Sequence, residues 1–288
     1  MRVTDVVELG LLAALWGGSF LFMRIAAPAL GPIWLIELRV LLAGLVLLPL
    51  LRRDCWSEVR FKTVPLLILG CINSALPFSL LAFASLSLPA GFTAILNATS
   101  PLFGMVIASV WLQEKLTVTR RVGFGLGFAG VVVLVGWKTF ATPPVFWMAA
   151  AAGLLSSLLY AIAAPYAKQH LSSVSALTIS SVSQLSAALW LLPVLPFTIP
   201  KSVPQPPVLI SVLALAFIST ALAYILYFRL IKNVGSTKAL TVTYLIPLFA
   251  MLWGSLVLRE AVAPSMMVGC ALILLGTAIA NDLLQQFQ

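Results

Sequence analysis

The chain has 288 residues, 61% of them hydrophobic and only 9% charged, with a formal net charge of +9. A soluble domain carries about a quarter of its residues as charges, so a water-soluble fold is excluded, and with it a nucleic-acid reading of the positive excess. Apolar stretches of about twenty residues have the length of membrane helices rather than barrel strands, so the sequence predicts an all-α integral membrane protein.

Ten spans follow in order, over 6–27, 33–51, 64–86, 91–112, 118–137, 145–167, 174–197, 207–231, 237–258 and 263–284. Pro or Gly punctuates many of the short connections: Pro28 to Pro32, Pro89, Pro143-Pro144, Pro200 to Pro207, and Pro264. The faintest break lies between the third and fourth spans, where Leu88-Pro89-Ala90 is barely polar. Arg24 and the spans behind it argue that the first helix is retained rather than cleaved as a signal peptide. Cys55, Cys71 and Cys270 are scattered and odd in number, which suggests neither a disulfide framework nor a metal site. His170, alone in a polar connection, reads as a bystander. No extramembrane domain is evident, so binding must happen among the helices.

Lys and Arg set the orientation. With the N-terminus in the cytoplasm, the inner segments hold Arg2, Arg52, Arg53, Arg60, Lys62, Lys115, Arg120, Arg121, Lys168, Arg229, Lys232 and Lys238. The outer segments hold only Lys138, Lys201 and Arg259. Twelve against three predicts both termini in the cytoplasm.

The stretch 101–130 recurs 146 residues later at 247–276, with eleven of thirty positions identical and no gap. The matches include the rarer residues: Pro101 on Pro247, Glu114 on Glu260, Gly123 on Gly269, Gly130 on Gly276. The chain therefore reads as a tandem duplication, with one repeat over 1–140 and a second over 141–288. Five spans per half is an odd number, so the second half enters the membrane inverted. The predicted fold is ten transmembrane helices as two inverted five-helix repeats, an architecture of secondary transporters that bind cargo near the midplane.

Leu15-Trp16-Gly17-Gly18-Ser19-Phe20, then Arg24, Pro32 and Arg39, precede Pro-Leu-Phe, Leu-x-Glu and Gly-x6-Gly elements that occur in both halves. In this order and duplication they resemble the EamA-type transporters of the drug/metabolite transporter superfamily, over essentially the whole chain. The resemblance implies a multi-pass carrier of the bacterial inner membrane, many of whose relatives export amino acids or related metabolites. It does not name a cargo. The second half departs from the first: it has Ser156-Ser157 and Tyr160 where Trp-Gly is expected, and no charge there mirrors Arg24, Glu37 and Arg39.

Those three charges lead the candidate residues, because charges within a span are costly and seldom idle. Arg24 and Glu37 flank the Pro28–Pro32 turn at similar depth, roughly 6–8 Å below it at ~1.5 Å per residue. The sequence thus predicts an Arg24–Glu37 charge pair or coupling site. Arg39 lies about 200° around the helix from Glu37 and needs another partner, for which its forked guanidinium suits a substrate carboxylate. The plainer alternative is that all three snorkel or hold helices together. Pro101 and Pro247 predict helix breaks that free a carbonyl one turn earlier, tolerated at membrane depth where backbone lines a cavity. That recruits Asn97, Thr99 and Ser100, and Thr241, Thr243 and Tyr244. Trp16, Phe20, Asn73, Phe78, Tyr160, Gln184, Tyr224 and Tyr227 are further candidates for the same cavity. The substrate-binding set is then Arg39, Trp16, Asn73, Phe78, Asn97, Tyr160, Gln184, Tyr224 and Tyr244, each with an alternative role as packing or interhelical glue of ~0.6–2 kcal/mol. Gly123 to Gly130 and Gly269 to Gly276 read as packing faces. Glu114 and Glu260 read as structural, binding the neighbouring connection.

The leading reading is a secondary transporter working by alternating access, exporting amino acids or related amphiphilic compounds. An aromatic cavity favours cargo with an apolar body. Proton coupling stays open, with Glu37 and Glu8 as its carriers, beside facilitated diffusion. A multidrug efflux carrier of the same superfamily is the runner-up, and a structural membrane protein the third reading. The absence of a nucleophile–base pair, paired acids or a His cluster argues against an enzyme, and no cofactor or metal is expected. Partners are the cargo and the bilayer, not nucleic acid. The internal duplication makes a monomer sufficient.

Overall fold

The computed structural model describes residues 2–51, 55–111, 113, 117–136, 143–200 and 203–280, with only the backbone described at 236 and 237. Among them nine helices are long and apolar enough to cross a membrane. They are α1 (Val3–Leu30), α2 (Pro32–Leu50), α3 (Thr63–Ala84), α4 (Ala90–Trp111), α5 (Val118–Gly136), α6 (Pro144–His170), α7 (Ala176–Phe197), α8 (Pro206–Val234) and α9 (Lys238–Leu258). A shorter apolar helix, α10 (Pro264–Ala280), follows them. The chain is an all-α, multi-pass membrane protein, and the faint break at Leu88-Pro89 is real, with Pro89 capping α4. Glu114 lies outside the described residues.

The turn between α1 and α2 is tighter than the proline cluster suggests. α1 continues through Pro28 to Leu30, and one residue, Gly31, reverses the chain at φ 76°. Pro32 then opens α2 with its fixed φ and a missing N–H that costs nothing at a helix start. Gly235, at φ 86°, makes the same reversal between α8 and α9.

Helix packing pairs the two halves. α1 packs on α9 and α4 on α6; α1 also meets α8, and α6 meets α3. α2 contacts α8 while α7 contacts α3, and the pairs α2–α7, α4–α9 and α5–α10 join equivalent helices. Renaming helices one to five as six to ten leaves these contacts unchanged; α4 also meets α10, without a counterpart of similar extent between α9 and α5 among the described residues. The tightest pair is α5–α10, and glycine is the cause. A Cβ on Gly123 would lie 2.6 Å from Gly276 O, and one on Gly130 would lie 2.8 Å from Gly269 O. Close approach through small residues is how membrane helices gain packing where no hydrophobic force acts between them. Gly125 has nothing within 4 Å and stands off this face.

α2 and α7 end in 3₁₀ turns, at Leu48–Leu50 and Leu192–Phe197, and four other spans depart from regular α-helix within their length. α4 breaks between Asn97 and Ser100, and Pro101 sits in the first turn of the restarted helix. The other predicted break needs correction: the helix from Val242 to Leu258 runs through Pro247, and α9 is interrupted instead at Thr241. The physical difference is position. Pro101 falls where a helix start needs no N–H, whereas Pro247 is five residues into its helix and gives up one interior bond only. Two π-helical stretches, Cys71–Ala75 in α3 and Ala214–Leu222 in α8, were not expected. Shifting the first by the 146 residues of the sequence repeat places it inside the second.

Candidate functional site

Consecutive spans alternate in direction, so α1 begins at one end of the bundle, here called proximal, and ends at the distal one. The two ends are built differently. At the proximal end a cavity of about 1080 Å³ opens between the halves. Its mouth is lined by Arg120, Lys168, Ala176, Leu240 and Ala280, all at proximal helix ends. It runs inward past Asn97, Tyr224 and Tyr227 to Met23, Arg39, Phe78 and Leu81. Among the described residues, no distal connection contributes to its wall.

Eight predicted residues meet there: Trp16, Arg39, Asn73, Phe78, Asn97, Tyr160, Tyr224 and Tyr244 all line the cavity, as do Phe20, Ser100, Thr241, Thr243 and Tyr227. Gln184 does not. It is fully buried behind Tyr224, its Nε2 at 3.5 Å from the phenol oxygen, and its Oε1 has no partner. Thr99 also turns away, buried, its hydroxyl donating to Leu96 O at 2.6 Å.

Aromatic side chains make the wall continuous. Trp16 and Tyr227 stack obliquely with centroids 5.2 Å apart, Phe78 and Tyr160 meet edge to face at 6.4 Å, and Tyr224 stacks on Phe228 at 6.0 Å. Such rings offer an apolar surface with a polar tip, suited to an amphiphile. The helix breaks are sealed rather than bare. Ser100 Oγ donates to Asn97 O at 2.7 Å, Ser157 Oγ to Leu96 O at 2.9 Å, Thr241 Oγ1 to Lys238 O at 2.7 Å, and Thr243 Oγ1 to Leu240 O at 2.8 Å.

Arg39 is the charge at the cavity's deep end, and it is only 4% exposed. Its Cζ lies 3.8 Å from the centroid of Phe78, and its Nε donates to Thr220 Oγ1 at 3.0 Å. No carboxylate lies within ion-pair distance of it among the described residues. Among the described residues the cavity wall holds Arg39, Arg120 and Lys168, and no Asp or Glu. A guanidinium at the deep end of a low-dielectric pocket draws ions of the opposite charge.

The predicted Arg24–Glu37 pair does not form. Arg24 Nε instead reaches Glu260 Oε1 at 3.2 Å, and its Nη1 donates to the carbonyls of Ser85 and Leu86, each at 2.8 Å. Glu260 Oε2 accepts from Ala90 N at 2.9 Å, the connection-binding role its place in the repeat suggested. The cause is azimuth around the helix. Gly17 lies against α9, where a Cβ would come 2.7 Å from Phe249 Cβ. Arg24, two turns on, shares that face, so it points at the end of α9 and away from α2. Glu37 is left buried with Oε2 unpartnered, off the cavity wall. Glu8, the other carboxylate considered for coupling, pairs with Arg229 at 3.1 Å.

Sequence reasoning missed the Ser219-Thr220 pair and the two mouth cations. The signal for Ser219-Thr220 was present, as two adjacent hydroxyls in an otherwise apolar stretch of α8. Arg120 and Lys168 were used only as markers of orientation.

The profile of the EamA-like transporter family matches the chain twice, over residues 7–136 and 147–281. A protein of Streptantibioticus cattleyicolor named as a probable terminal-alkyne amino-acid exporter is 23% identical, covering 98% of this chain and 95% of its own. An S-adenosylmethionine/S-adenosylhomocysteine transporter of Chlamydia muridarum is 26% identical, covering 92% of this chain and 87% of its own. A solved crystal structure superposes on all of both chains with a TM-score of 0.64 at 17% identity, a likeness of fold.

Proposed function

The chain belongs to the EamA-like transporter family, and from that premise we propose that it is a secondary carrier exporting amino acids or closely related amphiphiles across the bacterial inner membrane. The observation that carries the reading is Arg39, a buried guanidinium with no carboxylate partner among the described residues, at the deep end of an aromatic cavity. A cargo carboxylate supplies the missing partner, and the rings take its apolar body. The cargoes in the names of the two relatives described above each contain an amino-acid group. Arg39 at the deep end of the cavity argues against permanently cationic drugs, so the multidrug reading loses ground.

We read residues 1–140 and 141–288 as inverted repeats, supported by the two family matches and by the exchangeable packing. Under the Lys and Arg count the proximal end is cytoplasmic, so the cavity is in its inward-open state. Neither Glu37 nor Glu8 touches the cavity, which favours exchange or facilitated diffusion over proton antiport through a carboxylate shared with the cargo. The test is counterflow in proteoliposomes preloaded in turn with each amino acid and with several cationic drugs. Exchange of an amino-acid class that Arg39→Ala abolishes is the expected result. Exchange of cations indifferent to Arg39 overturns it.

A further inference from the structure

The guanidinium of Arg39 is held on two sides by groups from different halves of the chain. Phe78, on α3, covers one face, with the ring centroid 3.8 Å from Cζ. Thr220, on α8, takes the Nε hydrogen at 3.0 Å. The threonine hydroxyl has no freedom in this contact, because it donates its own hydrogen to Leu215 O at 2.7 Å. In an α-helix a threonine hydroxyl reaches back three or four residues. Here it reaches five, which the wide π turn of Ala214–Leu222 allows. With its hydrogen committed to the backbone, Thr220 Oγ1 presents only lone pairs to Arg39. The neighbouring Ser219 donates to Leu15 O at 2.9 Å and ties the same stretch to α1.

We propose that Thr220 is the positioning residue of the anion site, and that it fixes Arg39 so that the Nη1–Nη2 edge alone faces the cargo. The inference rests on the reading of Arg39 as the carboxylate-binding group and deepens it. Of the three edges of the Arg39 guanidinium, one is blocked by the side chain's own Cδ, and the side-on edge that carries the Nε hydrogen is taken by Thr220. Stacking on Phe78 fixes the plane. What remains is an end-on fork of two parallel N–H donors, which matches the two oxygens of a planar carboxylate and gives an amide only one acceptor. The site therefore selects a carboxylate over its neutral amide. The anchor for the fork comes from the second half of the chain and the guanidinium from the first, so the site is complete only where the halves meet.

The test uses the full chain in proteoliposomes, with L-phenylalanine and L-phenylalaninamide as probes, and compares Thr220→Val, Thr220→Ser, Arg39→Ala and the wild type. Thr220→Val keeps the shape and loses the hydroxyl; Thr220→Ser keeps the hydroxyl. We expect Thr220→Val to raise the half-saturation concentration for L-phenylalanine by about tenfold, the scale of one misaligned charge-assisted bond. The maximal rate should stay within about twofold and the weak amide exchange should not change. Thr220→Ser should restore wild-type affinity. A merely structural threonine would lower the maximal rate for both probes alike, and that result overturns the proposal. So does unchanged half-saturation in Thr220→Val while Arg39→Ala loses its preference for the carboxylate, which leaves the parent reading standing. If Arg39→Ala itself keeps that preference, the parent reading falls and this one with it; if counterflow assigns another amino acid as cargo, that amino acid and its amide replace the phenylalanine pair as probes. Should Thr220→Val fail to elute as a single species in detergent, the Thr220→Ser and Thr220→Ala pair decides by the same split.

Discussion

Gly254 is defined by what it leaves room for. A Cβ there would lie 2.5 Å from Glu260 Oε2, the oxygen that holds the amide of Ala90. Glu260 also accepts from Arg24, whose Nη1 closes onto the carbonyls of Ser85 and Leu86. This cluster ties α1, the α3–α4 connection and the end of α9 together at the distal side of the cavity. Hydrogen bonds to charged groups contribute roughly 1.5–3 kcal/mol each, enough to move a two-state population by about tenfold or more. Arg24→Ala and Gly254→Ala should therefore both favour distal opening. The readout is maleimide labelling of Met23→Cys, at the deep end of the cavity, in a background without Cys55, Cys71 and Cys270. Labelling from the distal face should rise several-fold in both variants, and equal labelling would remove the cluster as a closure. A second residue-scale prediction concerns coupling. Replacing Glu8 and Glu37 together by Gln should leave the pH profile of exchange unaltered, since neither carboxylate lies on the cavity wall; a flattened profile would assign coupling to them.

At the scale of elements, the α5–α10 seam gives the sharpest contrast. A Cβ on Gly276 would meet the backbone of Gly127 and Gly123, whereas one on Gly125 would meet nothing. Overpacking a close contact costs typically ~1–3 kcal/mol, so Gly276→Ala should lower the melting temperature in detergent by several degrees. Gly125→Ala should leave it unchanged or slightly higher, because alanine is the better helix former. Equal effects would deny the seam its role. These glycines were legible in the sequence because the repeat aligned them, although their spacing could not tell Gly125 from its neighbours. The spans were legible too, since length and hydropathy alone fix them in a bilayer. The π turns were not. They arise from how α3 and α8 fit their neighbours, and no residue type marks them as Pro marks a kink. For the same reason Pro247 misled: a proline reports a missing N–H, and whether the helix breaks depends on what surrounds it.

For the molecule as a whole, the sequence placed the helices and nearly all the aromatic and amide side chains of the cavity wall, but not the partners of its charges. Arg24 finds Glu260, 236 residues away, across a bundle whose azimuths no local pattern reveals. The topology itself is testable. Alkaline phosphatase fused after Gly136, at the distal side, should be active, and a green fluorescent reporter fused after Ala280, at the proximal side, should fluoresce. The reverse pattern would invert the orientation and turn the cavity mouth outward.

The carbonyls freed where α4 and α9 are interrupted are capped by hydroxyls of the same helices and of α6. The carbonyls of Leu96, Asn97, Lys238 and Leu240 are thereby closed to a passenger molecule. Recognition falls instead to side-chain tips, which can be exchanged one at a time without rebuilding the scaffold. A carrier made this way can change its clientele by point substitution while its moving parts stay the same.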